Sequence, residues 1–114
     1  MTGCLFCRIV AGEIAAAIVY QDERIVAFKD VNPQAPTHVL VIPRRHIATL
    51  DDLTPEDDAI VGEIVRRAAT IARDLGLSER GYRTVFNCNA EAGQTVFHIH
   101  LHLLGGRPMR WPPG

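Results

Sequence analysis

From Phe97 to Leu104 the chain reads Phe-His-Ile-His-Leu-His-Leu-Leu, a strict alternation that restricts how this stretch can fold. In an extended strand successive side chains point to opposite faces, so His98, His100 and His102 share one side and Ile99, Leu101 and Leu103 the other. One face suits a core and the other suits chemistry. Three imidazoles at same-side positions repel one another when charged, so such a strand is a poor store of histidine unless something binds there. A solvated strand face would mix lysine, threonine and glutamate; this one concentrates three of the five histidines in the chain.

The rest of the chain supplies a sheet for that strand to join. Cys4 to Glu13 reads as a short helical opening that stops near Gly12. Ile18-Val19-Tyr20 and Ile25-Val26-Ala27-Phe28 flank the polar turn Gln21-Asp22-Glu23-Arg24 as two strands. Asp30 to Pro36 carries two prolines and reads as a loop, and His38-Val39-Leu40-Val41-Ile42, closed by Pro43, as a central strand buried on both faces. The one long helix begins at Thr54 as N-cap, with Pro55 at the first helical position and Glu56, Asp57 and Asp58 in the first turn. Ile60, Ile64, Ala68, Ile71 and Leu75 form its apolar stripe, and Gly76 ends it. Tyr82 to Asn87 is a further strand, Ala90 to Thr95 a loop, and Phe97 to Leu104 the last strand before a glycine- and proline-rich tail containing Trp111. This order predicts an α+β fold in one domain spanning residues 1–114: a five-stranded antiparallel sheet with one long helix and a short N-terminal helix. Five strands in so short a chain leave apolar surface and an edge uncovered. Pairing with a second copy buries both, so a homodimer is expected.

A formal net charge of −1 gives no global field for nucleic acid or a membrane surface, and neither is expected as a partner. No apolar run is long enough to span a bilayer, and Met1-Thr2-Gly3-Cys4 does not open a secretory signal, so a cytoplasmic location is expected. Three cysteines, an odd number, fit a reducing compartment better than a disulfide framework. Cys4-Leu5-Phe6-Cys7 is then a metal site, a redox motif or chance.

Any anion must therefore be held by local geometry. Neutral imidazole is a good nucleophile near pH 7, and its phosphorylated form is open to attack by water. The middle histidine, His100, has same-face neighbours that can order a substrate or pass a proton. Gly93-Gln94-Thr95, just before the strand, offers close backbone approach, an N–H donor and a hydroxyl to a phosphate. Asn87 can add an amide donor, and Asp30, at a strand end, can accept from the hydroxyls of a ribose. Each of these residues alone is an ordinary turn former; together they describe a nucleotide site.

His98-Ile99-His100-Leu101-His102-Leu103-Leu104 resembles the His-φ-His-φ-His-φ-φ signature of the histidine triad superfamily. The segments Asp30 to His38, Ile42 to Ile47 and Gly105 to Gly114 resemble its nucleotide-binding (Hint) branch, a likeness that runs from about Cys4 to Gly114. The resemblance implies a homodimeric purine nucleoside phosphoramidase and nucleotidyl hydrolase with one continuous ten-stranded sheet. It implies that His100 is nucleotidylated at the α-phosphorus, that His102 contacts phosphate oxygen, and that His98 and His38 orient the site. Asn87, Gly93 and Thr95 correspond to phosphate contacts and Asp30 to the ribose contact. Phe6, Ile9, Phe28, Val31 and Leu40 correspond to the apolar walls of a base pocket that would accept adenine and guanine alike. Trp111 corresponds to a tail residue that approaches the partner's site. Thr95, Ala92 and Phe97 depart from the serine, glycine and tyrosine common there. Some superfamily members pair two such cysteines with two histidines; the matching set is Cys4, Cys7, His46 and His98, a structural zinc site that would fix the ring of His98.

Two other classes of function stay open on sequence. Histidines at i and i+2 of a strand also chelate metal, so the three could serve a catalytic ion. A nucleotide sensor or partner-binding module with residual hydrolase activity would carry the same residues.

Overall fold

The computed structural model describes residues 3–114; Met1 and Thr2, part of the opening considered above for a secretory signal, lie outside the described residues. Strands β1 (Ile18–Gln21) and β2 (Ile25–Lys29) are joined by a turn in which Asp22 Oδ1 accepts from the backbone N–H of Arg24 and of Ile25, both at 2.8 Å. With β3 (Thr37–Pro43), β4 (Tyr82–Val85) and β5 (Leu101–Gly105) they make one antiparallel sheet in the order β1-β2-β3-β5-β4. Together with a short helix α1 (Leu5–Val10) and a long helix α2 (Asp58–Asp74), this is the α+β architecture expected.

Register sorts the side chains onto two faces. Val39 pairs with Leu103 and Val41 with Leu101, and these four bury against Ile64, Ala68, Ile71 and Ala72 of α2. Each fully buried Ile or Leu there contributes about 1.5–3 kcal/mol, which makes this face the main source of stability. On the opposite face Val26, Phe28, Leu40 and Ile42 pack against Phe6 of α1. A helix of six residues cannot cover five strands, so this side keeps an opening beside the histidines.

The ends of the elements differ from those predicted, and each difference has a local cause. Thr54 starts a 3₁₀ turn, Pro55–Asp57, whose entry is fixed by the Thr54 N–H donating to Asp57 Oδ2 at 2.9 Å; α2 proper begins at Asp58. Leu75 lies beyond the helix and is half exposed, because Gly76, at φ +77°, turns the chain so that Leu77 N–H reaches Ala72 O at 2.8 Å and Leu77 enters the core instead. β4 stops at Val85, short of Asn87. β5 starts at Leu101, not Phe97, and the cause is Pro43. The register of Val41 with Leu101 would set Pro43 opposite Ile99. Pro43 has no N–H to give, and its carbonyl accepts from His98 Nε2 at 2.7 Å. The ladder closes there, and Ile99 N–H turns to Ile47 O at 2.7 Å. The alternation survives without the ladder: Ile99 is buried with Leu101 and Leu103, while His98 and His100 stay on the side of Phe6. Among the described residues no helix is long and apolar enough to cross a membrane.

Candidate active site

The histidines leave the strand toward different partners. His100 is buried and its Nδ1 lies 2.8 Å from His98 O. A carbonyl only accepts, so Nδ1 carries the proton and Nε2 keeps the lone pair of a neutral ring. His38 Nδ1 accepts from Gln34 N–H at 3.0 Å, which puts the His38 proton on Nε2, 2.9 Å from His102 Nδ1. His102 accepts there and must carry its own proton on Nε2. Asp30 Oδ2 stands 3.4 Å from His38 Nε2, while its Oδ1 accepts from Asn32 N–H at 2.9 Å, so Asp30 caps the loop and faces the histidines at once. Burial pushes His38, His98, His100 and His102 below the usual imidazole range, His102 to about 4, with His100 and His38 opposing its charge as well. All four are therefore neutral at pH 7, as a nucleophile or a neutral donor must be. The three rings of the triad do not group on one ion: His98 clusters with Cys4, Cys7 and His46, and His102 with Asp30 and His38.

Beside His100 and His102 opens a cavity of about 320 Å³. Phe6, Ile9, Phe28, Asp30, Val31, Leu40 and Thr95 line it, seven of the residues read from the sequence as nucleotide contacts. The Phe6 ring meets Phe28 edge-on at 5.4 Å and His100 at 5.0 Å, so one aromatic side chain sets both the apolar wall and the imidazole. Val31 is 99% exposed and stands at the rim. Lys29, Val96 and three residues before β1, Ile14, Ala15 and Ala16, also line the cavity without having been singled out. Leu5 and Ile9, one turn apart on α1, carried the only periodic hint. Asn87 and Gly93 are not among the lining residues; Gly93, at φ +87°, ends a 3₁₀ turn, Ala90–Ala92. Gln94, named only as part of the loop, is what holds it: its side chain donates to Ala48 O at 2.9 Å and Val96 O at 3.1 Å and accepts from Asn89 N–H at 2.8 Å. Trp111 is 81% exposed on the tail and away from this cavity, with the Arg83 guanidinium 5.9 Å from its ring.

His98 faces a separate corner. Its Nδ1 lies 3.5 Å from Cys4 Sγ, 3.5 Å from Cys7 Sγ and 3.3 Å from His46 Nδ1, and Cys7 Sγ is 3.2 Å from His46 Nδ1. Because Nε2 donates to Pro43 O, His98 has only a lone pair at Nδ1. Burial and the neighbouring Cys4 raise the Cys7 thiol. Ligands bonded tetrahedrally at 2.0–2.3 Å sit roughly 3.3–3.8 Å apart; these four separations are close to that, all four donors lie within 4.8 Å of one another, and a carbonyl holds one histidine from behind, so the set has the chemistry of a zinc site.

With these features in place, comparison with known protein families matches residues 11–109 to the HIT domain. The chain belongs to the HIT family. A solved HIT family hydrolase from Legionella pneumophila superposes with a TM-score of 0.97 at 56% identity, covering 98% of this chain and 100% of that one. A purine nucleoside phosphoramidase of Escherichia coli is 48% identical over 105 residues, 92% of this chain and 88% of its own. A Zn-bound histidine triad family protein from Mycobacterium smegmatis superposes with a TM-score of 0.80 at 38% identity, covering 93% of this chain and 76% of that one. In this HIT chain the triad is thus divided: His98 turns to the sulfur corner, while His100 and His102 both line the cavity, His102 with His38 against its Nδ1. Corner and cavity are linked through the His98 carbonyl, which accepts from His100 Nδ1, and through the Phe6 ring, which lies edge-on to both imidazoles.

Proposed function

We propose that this HIT protein is a purine nucleoside phosphoramidase, or more broadly a nucleotidyl hydrolase, that cleaves nucleoside 5′-phosphoramidates or acyl-nucleotides through a nucleotidyl-histidine. The observation that carries the reading is the His100 Nδ1 contact with His98 O at 2.8 Å, which leaves Nε2 as the lone pair of a neutral ring in the cavity wall. The purine lies between Phe6, Ile9, Phe28, Val31 and Leu40, Asp30 accepts from the ribose, and Asn87, Gly93 and Thr95 approach the phosphate from the loop side. His100 Nε2 attacks the α-phosphorus and the P–N bond breaks. The amine leaves with the Nε2 proton of His102, which is replaced from solvent; His38 keeps His102 in that tautomer. Water then attacks the phosphorus, the bond to His100 breaks, and the nucleoside monophosphate departs with one proton returned to solvent. The His102 N–H and the loop N–H groups face the charge that develops on the phosphoryl oxygens.

Cys4, Cys7, His46 and His98 would hold zinc, whose part is structural: it ties the N-terminal segment to the sheet. A reducing cytoplasm keeps both thiols available for that role. The domain acts as a homodimer paired at β4, the edge without a bulge; β1, at the other edge, shifts register between Ile18 and Tyr20, which spoils it for pairing.

Intact mass spectrometry after rapid quench with an adenosine 5′-phosphoramidate tests the chemistry. One transient adenylyl increment on the wild type, absent from His100→Ala, is the expected result. Steady hydrolysis that survives in His100→Ala would overturn it.

A further inference from the structure

Arg107 has no carboxylate partner among the described residues, and its guanidinium is given to backbone oxygens. Nε and Nη2 both donate to Gln34 O, at 3.3 and 3.0 Å, and Nη1 donates to Pro108 O at 3.1 Å. A planar fork closing on one carbonyl holds that peptide more firmly than a single flexible donor would. Gly106 seats the same loop by close approach. At φ +92° its backbone comes so near Pro36 that a Cβ placed there would meet the Pro36 Cβ at 2.8 Å. Gln34 and Pro36 lead into β3, whose Thr37 pairs with Gly105, so both contacts face β3 within one chain and not the β4 edge.

What Gln34 carries is the setting of the acid. Its N–H donates to His38 Nδ1 at 3.0 Å, and His38 Nε2 lies 2.9 Å from His102 Nδ1. Two facing ring nitrogens share one proton, so the donor at the first ring decides the second. With the Gln34 N–H in place, His38 donates from Nε2, His102 accepts at Nδ1, and the His102 proton stands on Nε2. With that N–H displaced, the pair can invert. His38 then carries its proton on Nδ1, His102 donates from Nδ1, and His102 Nε2 is left as a lone pair with nothing to give a departing amine. The remaining ties of Gln34 and Asn32 are internal to the loop and move with it: Gln34 Nε2 donates to Asn32 O at 3.0 Å, and Asn32 N–H to Asp30 Oδ1 at 2.9 Å.

Resting on the phosphoramidase reading above, we propose that Arg107 is a positioning residue for acid catalysis: by holding Gln34 against His38 it keeps the His38–His102 pair in the one tautomer that can protonate the leaving group. Arg107 does not line the cavity and acts through the loop. Its effect therefore depends on the leaving group. An amine must leave protonated, whereas p-nitrophenolate leaves as an anion and needs no acid.

The test compares wild type with Arg107→Gln on adenosine 5′-phosphoramidate and on the p-nitrophenyl ester of adenosine 5′-monophosphate, with NMR of the ring nitrogens to read the histidine tautomers. A positioned acid supplies about a hundredfold or more, so loosening it is expected to cost roughly tenfold in kcat/KM on the phosphoramidate and little on the ester. The wild-type spectrum is expected to show His38 and His102 protonated on Nε2 alone, and Arg107→Gln to move both toward the Nδ1 form. Gly106→Ala, which crowds Pro36 and displaces the same loop, is expected to give the same selective loss. Equal losses on the two substrates mean a structural role only and overturn the proposal, as do tautomers that Arg107→Gln leaves unchanged. A wild-type His38 protonated on Nδ1, with the phosphoramidate still hydrolysed, overturns it alone and needs no variant that folds. A wild type that cleaves neither substrate overturns the phosphoramidase reading and the acid role with it.

Discussion

His102 shows how a single ring can link the site to stability. Burial holds its protonation near pH 4 in the folded chain and lowers that of His38 as well, whereas in the unfolded chain both titrate near 6.5. Asp30 opposes the shift and His100 adds to it. Below about pH 6.5 the unfolded chain takes up protons that the folded chain refuses, so stability is complete above that pH and falls as pH drops toward 4. Thermal unfolding followed from pH 7.5 to 4.5 is expected to show this decline, and a flatter one in His102→Gln; identical slopes would remove His102 from the account. At this scale alternation was informative about which histidines share a face and silent about what they touch; the set of Cys4, Cys7, His46 and His98 came from the family resemblance, and the structure brings those four together. Alternation put three histidines on one face, but it could not say that His98 turns to sulfur, because that depends on Cys4 and Cys7, more than ninety positions away. Nor could spacing reveal Gln94 as the clasp of the loop, since its partners are backbone oxygens.

At the scale of elements, most of the fold was legible and the boundaries were not. The hairpin, the central strand and the helical stripe follow from periodicity and turn residues, which are local properties. The lost first half of the last strand follows from Pro43, a residue in another strand whose effect appears only once register is known. One member of the helix stripe was misplaced for a similar reason: Gly76 ends the helix, but it also swings Leu77 rather than Leu75 into the core. The β4 edge carries the prediction at this level. Thr84 sits mid-strand and exposed, so Thr84→Pro removes an edge donor and is expected to halve the mass seen by light scattering, from a dimer to the 12.6 kDa chain. A wild type that is already monomeric would exclude the ten-stranded sheet.

For the whole molecule, the sulfur corner matters beyond its four residues. It joins the start of the chain to the loop after β3 and to the segment before β5, contacts separated by 39 to 94 positions. A metal bound there and absent from the unfolded chain stabilises the fold by mass action, about 2.7 kcal/mol at a hundredfold excess over its dissociation constant. Zinc-loaded protein is expected to lose several degrees of Tm on treatment with a strong chelator and to regain them with zinc, while Cys7→Ser does not respond to either. No change on chelation of a preparation shown by elemental analysis to hold one zinc would refute the structural role. The two faces of the sheet also have unequal duties. The larger hydrophobic cluster points toward α2, and the residues that line the cavity point away from it, with Phe6, Phe28 and Leu40 serving the smaller cluster at the same time. Natural variation can therefore drift at the rim of the cavity, where the exposed Val31 stands, while both clusters stay fixed, so that new specificities arise in this scaffold by substitutions that leave its foldability intact.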